Sequence, residues 1–475
     1  MAKAYDVVVV GSGVNGMVAA SLCRDRGLDV LLLEAQDCLG GGVRSKELTL
    51  PGFAHDVCSA VHPFARSSPV LVEMGLERYG LEWVDPEVPL AHPLLGQPAV
   101  LLHRELEATA ASIGGTGGRF YGQLMGALAS DWPHLRDLLL GPPLRPPHLS
   151  LLPRLARFGL LALSSAQFLG GFLGNRGGAL WAGLAAHSLL PMEALSSSAV
   201  ACVLGVNAHL VGWPLPVGGA GAIARAMECR LREQGVEIGL SRRVQSLNEL
   251  PRHRALILDL SAKPVLRLLG PLLPPGRRLA LSRYRLGPGV FKLDYALSGP
   301  MPWSDPEVAR AGTIHLGGSL RDIARSEAAV WAGGLAPHPF LLAVQPTLFD
   351  PSRAPAGQHT FWVYLHVPNG WVGDASELIE SELERYAPGF RDLVLGRHLM
   401  SVADFEGDNP NYVGGDILGG ANTLDQIVAR PFLSSDPYYL GGKTFCCSAS
   451  VPPGGGIHGM GGYHAVQSVF RRLFS

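Results

Sequence analysis

Charge is scarce in this chain: 17% of its residues are Asp, Glu, Lys or Arg, against roughly a quarter in an ordinary soluble domain. What charge exists is balanced, with 39 Lys and Arg facing 40 Asp and Glu. Without a basic excess there is no electrostatic footprint for nucleic acid, and none is expected as a partner. Paired thiols are missing too. Cys23, Cys38, Cys58, Cys202, Cys229, Cys446 and Cys447 are scattered, with no C-x-x-C, which argues against a disulfide scaffold, a zinc ribbon and a thioredoxin-like redox pair. No His, Cys and carboxylate spacing suggests metal ligands, and no Ser-His-Asp arrangement is legible. Apolar runs of 18 residues are absent, because Arg154, Arg157, Arg176 and Glu193 interrupt the most hydrophobic third, so no spanning helix is expected. The chain enters an apolar strand without the ordered regions of a secretory signal, which predicts a cytoplasmic protein. Disorder is excluded as well: hydrophobic residues make 47% of the 475, alongside 60 Gly and 37 Pro. This is a large, loop-rich globular chain with about three domains' worth of residues.

The most informative stretch is the first. Tyr5–Val10 is a β-branched run suited to a parallel strand buried on both faces. It ends in Gly11-Ser12-Gly13-Val14-Asn15-Gly16. Residues 17–26 are helix-compatible and stop at Gly27; Val30-Leu31-Leu32-Leu33-Glu34 then makes a second strand. The unit carries G-x-G-x-x-G: Gly11 for the tight turn, Gly13 for backbone approach to a pyrophosphate, Gly16 for close helix–strand packing. Glu34 is placed to accept hydrogen bonds from a ribose. Strand, glycines, helix, second strand and terminal acid in order predict dinucleotide binding. A second glycine turn follows, Gly40-Gly41-Gly42-Val43-Arg44, where the backbone can approach more of a long cofactor.

The two glycine turns together resemble the flavin-containing amine oxidase and phytoene desaturase superfamily, whose members bind FAD. Three further segments extend the resemblance. Pro51-Gly52-Phe53-Ala54-His55-Asp56 with Val61-His62-Pro63 is similar to the segment leading towards the flavin ring; Asn411-Tyr412-Val413-Gly414-Gly415-Asp416 lies late in the chain; and Ser448-Ala449-Ser450-Val451-Pro452-Pro453-Gly454-Gly455-Gly456-Ile457-His458-Gly459-Met460 closes the FAD site in the phytoene-dehydrogenase-like branch. That branch includes relatives of the animal pyridine nucleotide-disulphide oxidoreductase domain protein. The resemblance implies an α/β protein: a Rossmann-type FAD-binding domain in three segments (1–70, 206–261, 436–475) interleaved with an α+β substrate domain (71–205, 262–435). It implies FAD contacts at Gly11, Ser12, Gly13, Asn15, Gly16, Glu34, Ala35, Gly41, Gly42, Arg44, Val244, Ser450, Gly456, His458 and Met460. It further implies an FAD-dependent oxidoreductase acting on a small, apolar, elongated substrate. A flavin amine oxidase, a saturase, an isomerase and a flavin-binding scaffold without turnover are the alternatives.

Within the substrate domain, 290–297 and 359–367 read as strands, and 376–387 as a helix with Glu380, Glu384 and Arg385 outward. Residues 138–192 contain no Asp or Glu, while Arg145, Arg154, Arg157 and Arg176 sit among Leu, Phe and Trp. That pattern fits either helices that roof the substrate cavity or an amphipathic cap making a peripheral membrane contact; the roof is the simpler reading. Because a flavin carries the electrons, few side chains are needed for chemistry. His62 and His458 are the candidate catalytic groups, since imidazole moves a proton near neutral pH. Lys443 reads as a turn residue rather than a flavin-facing lysine.

Overall fold

The computed structural model describes residues 3–144 and 146–474; Arg145 lies outside them. The chain opens with β1 (Tyr5–Val10), α1 (Val14–Asp25) and β2 (Val30–Leu33). It leaves for β3 (Val88–Leu94) and β4 (Gln97–Leu102). Cap helices follow, among them α2 (Gly115–Leu139), α3 (Leu152–Leu163), α4 (Ala166–Phe172), α5 (Gly174–Ala186) and α6 (Ser197–Val211). The chain returns through α7 (Gly221–Glu233) to β5 (Glu237–Gly239) and β6 (His253–Leu258). A second excursion holds β7 (Gly289–Leu297), β8 (Ala311–Leu316), α8 (Leu320–Trp331), β9 (Leu341–Val344), β10 (His359–Val367), α9 (Ser376–Tyr386) and β11 (Val394–Met400). β12 (Tyr439–Gly441), β13 (Thr444–Cys446) and α10 (Met460–Leu473) finish the chain.

Two large sheets result. The first has the order β12-β13-β6-β1-β2-β5, and its central strands are parallel, with Val8 opposite both Leu256 and Leu31. Val7, Val8 and Val9 are fully buried, as a strand covered on both faces requires. The second sheet runs β11-β7-β10-β9-β8-β3-β4 and is mainly antiparallel. Alternation along β7 divides its faces. Phe291, Leu293, Tyr295 and Leu297 enter one core, whereas Val290 joins Trp362, Tyr364 and the cap helices in another. The α/β architecture with an interleaved second domain is therefore present, and strands of the first sheet come from each of the three segments assigned to FAD.

One local reading is corrected. Glu380 does not simply face water: it accepts from Arg397 (2.7 Å) and the Tyr295 hydroxyl (3.2 Å). Arg154 and Arg157 both pair with the buried Asp131 of α2, at 3.2 and 2.7 Å. Among the described residues no single helix is long and apolar enough to cross a membrane; 149–163 and 166–172 reach that hydropathy only as a pair bent by 102°.

Candidate functional site

The site grows from the turn after β1. Gly11 has φ +96°, and a Cβ there would stand 2.7 Å from the Asp259 carbonyl oxygen. A Cβ on Gly16 would run into the Gly11 carbonyl, so α1 approaches β1 as closely as the glycine pattern predicts. Gly13 is different: its missing Cβ would strike the Asp259 carboxylate. The glycine pattern alone reserves that space for a pyrophosphate; the structure gives it to a side chain from the end of β6.

Carboxylates flank this turn. Ser12 donates to Glu34 Oε2 from its amide (2.9 Å) and its hydroxyl (2.5 Å), and the Gln36 amide donates to Oε1 (2.8 Å). Glu34 is thereby fixed with lone pairs remaining for a ribose. Asp259 Oδ2 accepts from the Gly16 amide at 3.0 Å, and burial pushes its carboxyl up to about 7. The second glycine turn packs on the first, with a Gly41 Cβ position 3.0 Å from the Gly13 Cα. Arg44 donates from Nε to the Gly41 carbonyl (2.7 Å) and pairs through its guanidinium with Asp408.

Between these parts lies a cavity of about 630 Å³, within the roughly 300–1,000 Å³ of small-molecule sites. Gly11, Ser12, Gly13, Asn15, Glu34 and Ala35 line it, as do Gly41, Gly42, Arg44, Val244 and Gly456. Gly16, Ser450, His458 and Met460 stand behind the wall instead. Gly16 is pressed against Gly11. Ser450 is spent on the Ala262 amide (3.0 Å) and the Gly419 carbonyl (2.7 Å), and the neighbouring Ser448 and Ala449 reach the cavity. The His458 ring accepts from the Met460 amide at 3.1 Å and so anchors the start of α10.

His62 is outside this cavity as well. It is buried, and among the described residues neither ring nitrogen has a hydrogen-bond partner. Burial lowers both His62 and His458 to about 4, so both imidazoles are neutral at physiological pH. Lys443 donates to the His253 carbonyl (2.9 Å) at the sheet edge, in keeping with a turn role. Sequence reasoning missed Asp259 and Asp408 and gave no site role to Asn411 and Tyr412 of the late segment, all four in the wall. It also missed a buried ion pair on β7, where Lys292 Nζ meets both Asp294 oxygens at 2.5 Å and lies 5.4 Å from the Trp362 ring centroid.

Two glycine turns lining an extended cavity, a helix N-terminus and a ribose-accepting acid fit FAD. When bound, FAD supplies the electron-accepting chemistry. The chain's own groups hold it.

Comparison with known proteins agrees. Residues 9–74 match the NAD(P)-binding Rossmann-like domain family. The pyridine nucleotide-disulfide oxidoreductase domain-containing protein 2 of Rattus norvegicus is 25% identical over 99% of this chain and 94% of its own length. A local match, 61% identical over 8% of this chain and 7% of the relative, is with the flavin-containing amine oxidase B of Cavia porcellus. One component of the limonene dehydrogenase of Castellaniella defragrans is 30% identical over 23% of this chain and 20% of its own. Among solved structures, cyclohexylamine oxidase from Brevibacterium oxydans superposes with a TM-score of 0.61 at 14% identity, covering all of both chains. The chain carries a Rossmann-like dinucleotide-binding domain, is homologous along its length to the pyridine nucleotide-disulfide oxidoreductase domain-containing proteins and is built on the fold of the flavin amine oxidases.

Proposed function

We propose that this oxidoreductase adds or removes hydrogen at a carbon–carbon bond of an apolar, elongated substrate held between the cap helices and the second sheet. The observation that carries the reading is the core at that interface, where Leu90, Val100, Leu102, Trp181, Trp362 and Tyr364 are all buried. Ring contacts continue it outward, from the partly buried Phe120 to Phe172 (5.8 Å, tilted) and on to Phe168 (5.1 Å, edge-on). The limonene dehydrogenase component among the relatives supports an apolar substrate. His62, whose ring nitrogens have no hydrogen-bond partner among the described residues, is the group proposed to move a proton; His458 is committed to α10.

Leu160, Phe168 and Phe172 expose 74, 61 and 54% of their surface on α3 and α4. Large apolar side chains exposed on these two helices suit a lipid surface, and we assign a peripheral membrane contact to them. Flotation with phosphatidylcholine and phosphatidylglycerol vesicles tests the contact. The wild type floats; a Leu160→Ser, Phe168→Ser, Phe172→Ser variant binds at least roughly tenfold more weakly, because it forfeits the burial of three large side chains. Equal flotation of the two ends the membrane reading.

A second reading, amine oxidation, is favoured by the stacked pair Trp362 and Tyr364, 5.6 Å apart and 11° from parallel. The anaerobic visible spectrum separates the two. Bleaching of bound flavin by an apolar lipid extract supports the first reading, and bleaching by an amine panel supports the second. A flavin that neither reduces points to a saturase, an isomerase or a scaffold.

A further inference from the structure

Asp259 follows β6 directly under the glycine turn. Its side chain is buried and lines the dinucleotide cavity. Oδ2 occupies the Gly16 amide, one of the donors at the N-terminus of α1, and Gly11, Gly13 and Gly16 all lack a side chain where Asp259 crowds them. The ionisable groups facing it are Glu34, beside the end of β2, and the thiols of Cys446 and Cys447, and burial holds both thiols in the neutral form. Among the described residues no cation pairs with it. A pyrophosphate seeks the same helix terminus. Placing its charges beside an ionised, water-starved carboxylate with a second carboxylate nearby is strongly repulsive.

We infer that Asp259 takes up a proton when FAD binds, so that cofactor and proton are held together. Burial and Glu34 already raise this carboxyl to about 7 without any ligand, against the pull of the Gly16 and Gly13 amides, and the cofactor's charge raises it further. The sign follows. Below the free-state value the proton is already present and binding is independent of pH; above it each FAD must bring a proton, and affinity falls by roughly tenfold per pH unit until the bound-state value is passed.

The inference rests on the cavity being the FAD site, and the test keeps the two apart. The full-length holoprotein is diluted at pH 6 to 9, and released FAD is followed by its fluorescence. The dissociation constant is expected to rise about tenfold per unit above pH 7 in the wild type and in Glu34→Gln, and to stay flat in Asp259→Asn, which keeps an acceptor for the Gly16 amide. A flat wild-type profile, or an equal slope in Asp259→Asn, overturns the proposal while leaving the FAD site standing. A protein that holds no FAD at any pH overturns both. Should the variant not fold, the wild-type infrared difference spectrum at pH 8 decides alone: a protonated-carboxyl band present with FAD and absent without it is expected, and its absence is contrary.

Discussion

Lys292 and Asp294 are among the most deeply buried charges in the chain, at 1 and 0% side-chain exposure. Neither is tolerable alone, because an unpaired charge in the interior forfeits hydration that nothing replaces. His55 and His398 stand 3.6 and 3.7 Å from the Asp294 oxygens but do not substitute for the ammonium; burial lowers His55 to about 4, so it is neutral there. Lys292→Met is therefore expected to cost about 3–5 kcal/mol in urea unfolding, and Lys292→Met with Asp294→Leu to recover most of it. A double variant as unstable as the single one contradicts the pairing argument. Asp259 makes a different point at the same scale. Ala255-Leu256-Ile257-Leu258-Asp259 repeats the pattern of Leu31-Leu32-Leu33-Glu34, an apolar strand closed by an acid. The pattern is legible in the sequence; what the sequence does not announce is that β6 lies beside β1, a pairing across more than 240 residues that no local spacing encodes.

At the scale of elements, legibility depends on whether a segment's own residues dictate its form. β10 is readable to its true bounds because His359–Val367 is rich in β-branched and aromatic residues. β3 and β4 are not: Pro89, Pro93 and Pro98 interrupt them, and proline demotes a strand reading. Only pairing with β8 and with each other reveals them. The start of α10 belongs to a segment that resembles a flavin-closing motif, yet its glycines are used for packing. Cβ atoms on Gly461 and Gly462 would collide with the Cys447 and Asn15 carbonyls, so these glycines let α10 lie on α1. Gly462→Val is expected to push the helices apart, with about 1–3 kcal/mol or more lost to overpacking. Because Asn15 lines the cavity, flavin occupancy should fall along with the melting temperature. Unchanged flavin absorbance in a variant of lowered melting temperature would separate helix packing from the cofactor cradle.

For the whole molecule, the scarcity of charge returns as a sensitivity to acid. Burial lowers His55, His62, His92 and His458 to about 4, His187 to about 3 and His315 well below the ordinary 6.5. Each is neutral in the fold and becomes charged on unfolding. A base with a depressed folded value gives stability that is complete above the unfolded value and is lost as pH falls towards the folded one. Near pH 5 unfolding therefore takes up six protons at these histidines. Asp259, raised to about 7, opposes this by releasing one. A net uptake of about five corresponds to roughly 7 kcal/mol per pH unit, comparable with the roughly 5–15 kcal/mol that holds an ordinary domain together. The protein should consequently unfold cooperatively between about pH 6 and 5, before its solvent-exposed carboxylates titrate. Circular dichroism across that range, with urea midpoints at two pH values to count the protons, measures it. A fold that persists to pH 4 would mean that these imidazoles have water or partners enough to be protonated in place.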